Sequence, residues 1–529
     1  MSAENPETSE SYQQAEQLIA SLLQPAPYPH PVDHIEMIET HISWVILTGS
    51  FAYKIKKPVN LGFVNYTDLK RREYFCHQEL QLNRRLAPRI YLAVVPITGS
   101  ITQPRVEGDG PAIEFAVKMH QFPQPCLLNR RIENKQLTPV LADRIAHRVA
   151  RFHTGIEVAG RDSPHGTPEA VLAPMQQNFA TIRDHLSTKA LLKPLEPLEH
   201  WTYSRYRMLK PTLRQRKDQG FIRECHGDMH LGNIALIDNE ITIFDGIEFN
   251  EQIRWIDVIS ELAFLVMDLD DRGAPRLGQR VLNHYLQETS DYGGLALLRF
   301  YQVYRAMVKA KVNAIRLSQG HLDTQQRQAL VSLYRSYTQL AIRYTGDQKP
   351  ALFITHGLSG SGKSTLCQHL AEEQGFIWIR SDVERKRLYG LAASEHSRSA
   401  VRKGLYTEQA SERTYARLLT LAGLITDAGF IALVDATFLR SAQRSAFIEL
   451  ANSNNLPWWV LKLHADENTL RRRIQARLAR ADDPSEAGLE VLTLQLHTRD
   501  PLNGEELKHC IDIDSESEHP IDAIKTRLE

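Results

Sequence analysis

The stretch Gly357-Leu358-Ser359-Gly360-Ser361-Gly362-Lys363-Ser364-Thr365 is a complete G-x-x-x-x-G-K-S loop. A short apolar segment, Ala351–Thr355, runs into it, and a helical pattern leaves it from Lys363 to Gln374. A strand that turns through glycines into a helix N-terminus presents backbone N–H groups to an anion. The residues of the loop, Gly357 to Thr365, are therefore expected to hold the phosphates of a nucleotide. Lys363 is placed to reach the β- and γ-phosphates, and the Ser364 hydroxyl to ligate magnesium.

Downstream, apolar runs alternate with amphipathic ones. Strands are expected at Phe376–Ile379, Ile431–Val434 and Trp458–His464, and helices at Ser399–Ala428, Ser441–Asn452 and Glu467–Arg480. This alternation reads as an α/β domain with a mostly parallel sheet. The strand ending in Asp435 fits the second metal-holding strand of P-loop enzymes. Arg473, Arg477 and Arg480 share one helix face, while Leu470, Ile474 and Leu478 share another, so the apolar side can pack and the basic side can face a cleft. Arg380-Ser381-Asp382, after another apolar strand, resembles the substrate-side motif of P-loop small-molecule and polynucleotide kinases and of zeta-toxin-like kinases. That resemblance implies that Asp382 orients or deprotonates an acceptor hydroxyl and that Arg385 or Arg387 holds the acceptor. It also implies that Arg473 and Arg477 belong to a lid that neutralises the nucleotide phosphates, with Ala481–Ala487 as its tip.

Upstream of the polar break Thr345-Gly346-Asp347-Gln348-Lys349-Pro350 the pattern differs. Residues 1–10 read as a disordered tail, followed by a helix from Tyr12 to Leu23. Strands are expected at Ser43–Leu47, Phe51–Lys56, Ile90–Pro96 and Ile113–Met119, with a helix at Leu69–Leu86 between the second and third. Helices then dominate to Tyr344. The expected organisation is a tail and helix over 1–30, one domain over 31–345 and a second over 350–529. With 529 residues the chain is too long for one core. Its formal net charge of zero gives no global attraction to nucleic acid or an anionic membrane. The five dispersed cysteines form no C-x-x-C pair, which argues against a zinc or disulfide framework and suits a cytoplasmic location. No apolar run is long enough to span a bilayer.

Within the upstream half, His226-Gly227-Asp228-Met229-His230-Leu231-Gly232-Asn233 is followed by a strand-like segment ending in Asp245-Gly246. Asp228 and Asn233 stand five apart, the spacing of base and metal asparagine in kinase catalytic loops. Phosphoryl transfer needs a carboxylate to take the hydroxyl proton, oxygen ligands for magnesium and a cation on the phosphates that stay behind. Asp228 is the candidate base; Asn233 and Asp245 are the candidate magnesium ligands. The string H-G-D-M-H-L-G-N…F-D-G, with T-H-I-S-W-V-I-L-T-G…Y-K-I-K-K-P-V and E-L-Q-L-N-R-R-L-A-P upstream, resembles the aminoglycoside phosphotransferase family over most of residues 30–345. The chain is also similar to a bacterial group in which such a domain is fused to a P-loop kinase domain.

The resemblance implies an α+β bilobal protein-kinase-like domain ahead of an α/β P-loop NTPase domain. It implies a strand lysine on the α- and β-phosphates, paired to a helix glutamate: Lys54 first, with Lys56 on the same face, and Glu79 first, with Glu73 behind it. Two departures stand out: a single glycine, Gly49, precedes Lys54, and the metal motif reads Asp-Gly-Ile-Glu. Glu248 reads as a turn cap or an added carboxylate, and Arg254, Asp257 and Glu261 as buried pairing and capping residues. The whole chain is expected to be a bifunctional phosphotransferase using ATP and Mg2+ on small-molecule hydroxyl acceptors. The alternatives are a regulatory ATP-binding or ATPase half that gates the other, or a P-loop half acting on a nucleotide or polynucleotide end. Trp458 and Trp459 lie in an apparent strand and read as core, so a nucleic-acid acceptor ranks below a small molecule.

Overall fold

The computed structural model describes residues 10–62, 64–318, 322–392, 395, 407–480, 485, 487–517 and 524. Most of the expected N-terminal tail, the start of the helix expected from Ser399 and most of the expected lid tip at Ala481–Ala487 lie outside the described residues.

The chain forms two compact units. The first comprises residues 1–138, 151–177 and 210–268, and the second residues 139–150, 178–209 and 269–529. Compactness thus divides the chain differently from the sequence pattern. The helices Pro275–Thr289, Leu295–Ser318 and Thr324–Tyr344 belong to the second unit together with the P-loop. The physical reason lies in the helix Pro275–Thr289. It buries Val281, Leu282, Asn283, Tyr285, Leu286 and Gln287 and packs on the P-loop helix and its neighbouring strand.

In the first unit a six-stranded antiparallel sheet holds β1 (Glu36–Glu39), β2 (Ser43–Leu47), β3 (Phe51–Lys56), β4 (Tyr91–Ser100), β5 (Gln103–Val106) and β6 (Ala112–His120). Their order is β1-β2-β3-β6-β4-β5. Side chains alternate across the sheet. Trp44, Ile46, Tyr53 and Ile55 meet Tyr12, Leu18, Ile19 and Leu22 of the helix Glu10–Leu22 on one face. Leu47, Ala52, Tyr91 and Val117 meet Cys76 of the helix Leu69–Arg84 on the other. The N-terminal helix is therefore part of the sheet's core. The same alternation sends Lys54 and Lys56 to the face covered by Leu69–Arg84, a helix capped by Asp68, whose side chain accepts from Lys70 N at 2.8 Å. Beyond this sheet, β7 (Ile222–Glu224) pairs with β10 (Trp255–Asp257), and β8 (Ile234–Ile237) with β9 (Glu240–Ile243). The β8–β9 turn has φ of 47° at Asp238 and 59° at Asn239, the pair of left-handed residues that a two-residue hairpin requires.

In the second unit β11 (Ala351–His356), β12 (Ile377–Arg380), β13 (Ile431–Asp435), β14 (Trp458–His464) and β15 (Cys510–Asp514) form a sheet in the order β12-β13-β11-β14-β15. All its pairings are parallel. Phe353, Leu433, Leu461 and Ile511 build a core with Leu366, Cys367 and Leu370 of the helix Lys363–Gln374. Trp458 is buried and Trp459 stacks on Phe353 at 4.8 Å, which makes both part of the packing rather than a stacking platform. Leu470 and Ile474 are buried as their spacing predicts, but Leu478 is 47% exposed, because the apolar face of that helix ends before its last turn. No helix among the described residues is long and apolar enough to cross a membrane.

Candidate active sites

The first site lies in the first unit, where β3 faces the helix Leu69–Arg84. Lys54 Nζ stands 2.7 Å from Glu79 Oε1 and 2.5 Å from Asp245 Oδ1. Burial opposes the Lys54 charge, but Asp245 and Glu79 outweigh it and hold the ammonium well above the ordinary lysine range. Glu79 is fully buried. Burial alone would raise its carboxyl, yet Lys54 and Lys56 bring it down to about 2. Glu79, not Glu73, is the residue both lysines meet: Lys56 Nζ lies 2.7 Å from Glu79 Oε2. Lys56 also pairs with Glu248, whose Oε1 accepts from the Tyr66 hydroxyl at 2.6 Å. Glu248 is thus neither a turn cap nor an extra carboxylate at the Asp245 turn. It is the buried partner of the second lysine.

Asp228 and Asn233 meet directly. Asn233 Nδ2 donates to the Asp228 carbonyl at 3.0 Å and to Asp228 Oδ2 at 3.1 Å, so Oδ1 is the side-chain atom that could hold a metal. The loop that carries Asp228 is held from beneath. Glu261, buried and held below the ordinary carboxylate range by its bond to His153 despite its burial, accepts from His226 N at 3.1 Å, Gly227 N at 2.6 Å and His153 Nε2 at 3.0 Å. His226 Nε2 donates to Phe244 O at 2.8 Å, so Nδ1 accepts from Asp228 N at 3.3 Å. Burial keeps His226 below the usual histidine value, in keeping with this neutral tautomer. Arg254 and Asp257 pair with Glu224 and Arg216, at 3.1 and 2.7 Å. Asp245 itself sits at a φ of 62°, a left-handed conformation that costs energy in a non-glycine residue and that the surrounding bonds hold.

The second site lies in the second unit. The P-loop helix starts at Gly362, φ 87°, with no side-chain cap, so its first N–H groups remain available to an anion. Gly357 has no room for a side chain: a Cβ there would lie 2.6 Å from Leu463 O and 2.8 Å from Ser361 Oγ. Lys363 Nζ folds onto the loop, donating to Gly357 O at 3.1 Å and Leu358 O at 2.7 Å. Burial lowers its affinity for a proton, and Asp435 and Asp382 offset part of that. Asp435 is buried at the end of β13. Its carboxyl is pushed up by that burial, and it accepts from Trp378 Nε1 at 3.2 Å and from the Ser364 hydroxyl.

A cleft of about 2240 Å³ opens over this loop. Ser364, Thr365, Asp382, Arg385, Asp435, Arg473 and Arg477 line it. Arg473 reaches Ser515 Oγ at 2.8 Å and Arg477 reaches Ala487 O at 2.6 Å. Of the two arginines expected to hold an acceptor, only Arg385 lines the cleft. Arg387 is drawn away by buried Glu384, at 3.3 Å, and by the carbonyls of Gln287 and Glu288. The side chain of Arg480 lies outside the described residues.

Residues 70–298 match the model of the phosphotransferase enzyme family, and residues 352–502 match that of an AAA domain. The chain carries a phosphotransferase-family domain followed by a P-loop domain. Uncharacterized proteins of Mycobacterium bovis and Mycobacterium tuberculosis are 28% identical over 465 residues, covering 87% of this chain and 90% of theirs. Among solved structures, the amicoumacin kinase hAmiN is similar at a TM-score of 0.41 and 12% identity, over 64% of this chain and 96% of that one. A gluconokinase from Sinorhizobium meliloti is similar at 0.26 and 21% identity, over 34% and 94%.

Several residues of the two domains were not singled out from the sequence. In the phosphotransferase-family domain, Tyr91 OH accepts from Asp245 N at 3.1 Å, and Asn83 Oδ1 accepts from Gly246 N at 2.7 Å. Asn83 lies one turn after Glu79 on the same helix face, so helical spacing from Glu79 was the signal that could have found it. In the P-loop domain, Gln495 Oε1 accepts from Ser359 N at 2.8 Å, and no motif marks it.

Proposed function

We propose that the chain is a bifunctional ATP-dependent phosphotransferase, each domain moving a γ-phosphoryl group to a hydroxyl of its own small-molecule acceptor. One observation carries the reading: each domain has a separate set of cation, oxygen ligands and candidate base. In the first domain these are Lys54, the Asn233–Asp245 pair and Asp228; in the second, Lys363, the Ser364–Asp435 pair and Asp382. The oxygen-only ligand pairs suit magnesium, which would neutralise phosphate charge during transfer. Asn233 Oδ1 and the Asp245 carboxylate would hold it in one site, and Ser364 Oγ and Asp435 in the other.

The chain's own residues supply the rest. Lys54, kept charged by Glu79 and Asp245, holds the phosphates that stay behind. Asp228, braced by Asn233 and by the His226 ring, receives the acceptor proton. In the P-loop domain the backbone N–H groups and Lys363 hold the phosphates, Asp382 orients the acceptor, and Arg473 and Arg477 complete the cleft above the loop.

The test is phosphate incorporation from ATP into the small-molecule fraction of a cell extract, followed by mass spectrometry, with Asp228→Asn and Lys363→Ala made separately. Each variant is expected to lose a different product. Loss of the same product in both would mean that one half gates the other and would overturn independent bifunctionality.

A further inference from the structure

The cleft of the P-loop domain is not walled by residues 352–502 alone. Asp143, from the helix Pro139–Gly155, and Arg280, from the helix Pro275–Thr289, also line it. Both side chains belong to the same compact unit as the P-loop.

Arg280 is held as a fixed fork. Its Nε and Nη2 donate to the two carboxylate oxygens of Asp143 at 2.5 and 2.7 Å, and its Nη1 donates to Glu372 Oε1 at 2.5 Å. Such a bidentate pair fixes the plane of the carboxylate. Asp143 lines the cleft and its side chain stays 30% exposed, with His284 Nε2 3.3 Å from Oδ1, whereas the guanidinium nitrogens of Arg280 are occupied.

The helix that carries Arg280 is anchored to the working parts of the P-loop domain. One face, at i, i+3 and i+7, presents Arg280, Asn283 and Gln287. Asn283 Nδ2 donates to Phe376 O at 3.1 Å and its Oδ1 accepts from Trp378 N at 2.7 Å, bonds a neighbouring strand would otherwise make to the edge of β12. Gln287 Nε2 reaches Trp378 O at 3.5 Å. β12 leads directly into Asp382, so this helix and the candidate acceptor base are registered against one strand. Glu372 lies on the P-loop helix that starts at Lys363. At 1.5 Å per residue it stands about 12 Å along the axis from Ser364.

We infer that Asp143, fixed by Arg280, is the acceptor-binding residue at the far end of the P-loop cleft, where it accepts hydrogen bonds from an extended, polyhydroxylated acceptor. Arg280 is a positioning residue that acts through Asp143. This rests on the reading of the P-loop domain as a phosphotransferase.

The test uses the full chain and, as acceptor, the ultrafiltered small-molecule fraction of a cell lysate in a dilution series. Formation of the product that disappears in Lys363→Ala is followed with wild type, Asp143→Asn, Arg280→Gln and Glu372→Gln. Asp143→Asn is expected to raise the fraction needed for half-maximal rate by about tenfold or more, the loss of one hydrogen bond to a charged group. Arg280→Gln should do the same to a smaller degree. Affinity for AMP-PNP and the Asp228-dependent product should stay as in wild type for Asp143→Asn. Glu372→Gln keeps the Asp143–Arg280 pair and should leave half-saturation unchanged, which separates binding from loosened packing. Unchanged half-saturation in Asp143→Asn overturns the inference alone. Absence of any Lys363-dependent product overturns the proposed P-loop activity and the inference with it.

Discussion

Replacing Glu261 by glutamine tests whether the loop that carries Asp228 is held from beneath. The carboxylate is fully buried and accepts three donors: His226 N, Gly227 N and His153 Nε2. An amide offers one accepting oxygen and turns an NH2 group toward the remaining donors. One main-chain N–H is then left without an acceptor, at about 1–3 kcal/mol, and the charge assistance on the others is lost, at about 1 kcal/mol each. The sum is about 3–5 kcal/mol, the upper end of what one substitution does. The assay is native-state hydrogen exchange of the full chain, read on the peptide that contains Gly227, beside the rate of the Asp228-dependent product. Protection should fall by that amount, and the maximal rate should drop while the half-saturating ATP concentration holds, because Lys54 and Glu79 are untouched. Protection within about 1 kcal/mol of wild type would show that the loop is held by other contacts and refute the reasoning.

Other outcomes follow from the geometry. Gly357→Ala would push a methyl group against Leu463 O, so the loop should shift and affinity for AMP-PNP, measured calorimetrically, should fall by at least about tenfold. Glu79 is depressed to about 2, so its contribution is present above the unfolded glutamate value and is lost as pH falls toward 2. Acid titration of unfolding should therefore show a loss below about pH 4.5 that Glu79→Gln flattens. Arg444 and Glu506 form a fully buried pair at 2.7 Å, so Arg444→Met should cost about 3–5 kcal/mol in thermal unfolding, and adding Glu506→Leu should recover most of it.

Much of the fold was legible because it follows local periodicity. β2, β3, β14 and the helix Lys363–Gln374 sit where alternation and glycine signals place them, and Asp238-Asn239 turns as its residue types require. The β-bearing and P-loop architectures were read from the same patterns. What escaped depends on side chains that meet across long stretches of chain. Two lysines on one strand face share one glutamate, which spacing alone leaves as a choice between them. Glu248 looks like a turn residue until Lys56 and Tyr66 close over it. Arg387 resembles a substrate ligand until Glu384, one turn earlier, captures it. The strand β15 is short and lies at the sheet edge, with an alternation too brief to stand out.

The amide of Asn283 has one more consequence. With Gln287 beside it, it seals the rim of a parallel sheet from a helix some ninety residues away in the chain. A fragment begun at the polar break near residue 350 would leave that rim bare, ready to recruit strands from other molecules. Recombination could move the nucleotide-binding loop to another protein only together with the helix that finishes its sheet. Such a dependence would keep that helix and the nucleotide-binding loop inherited together.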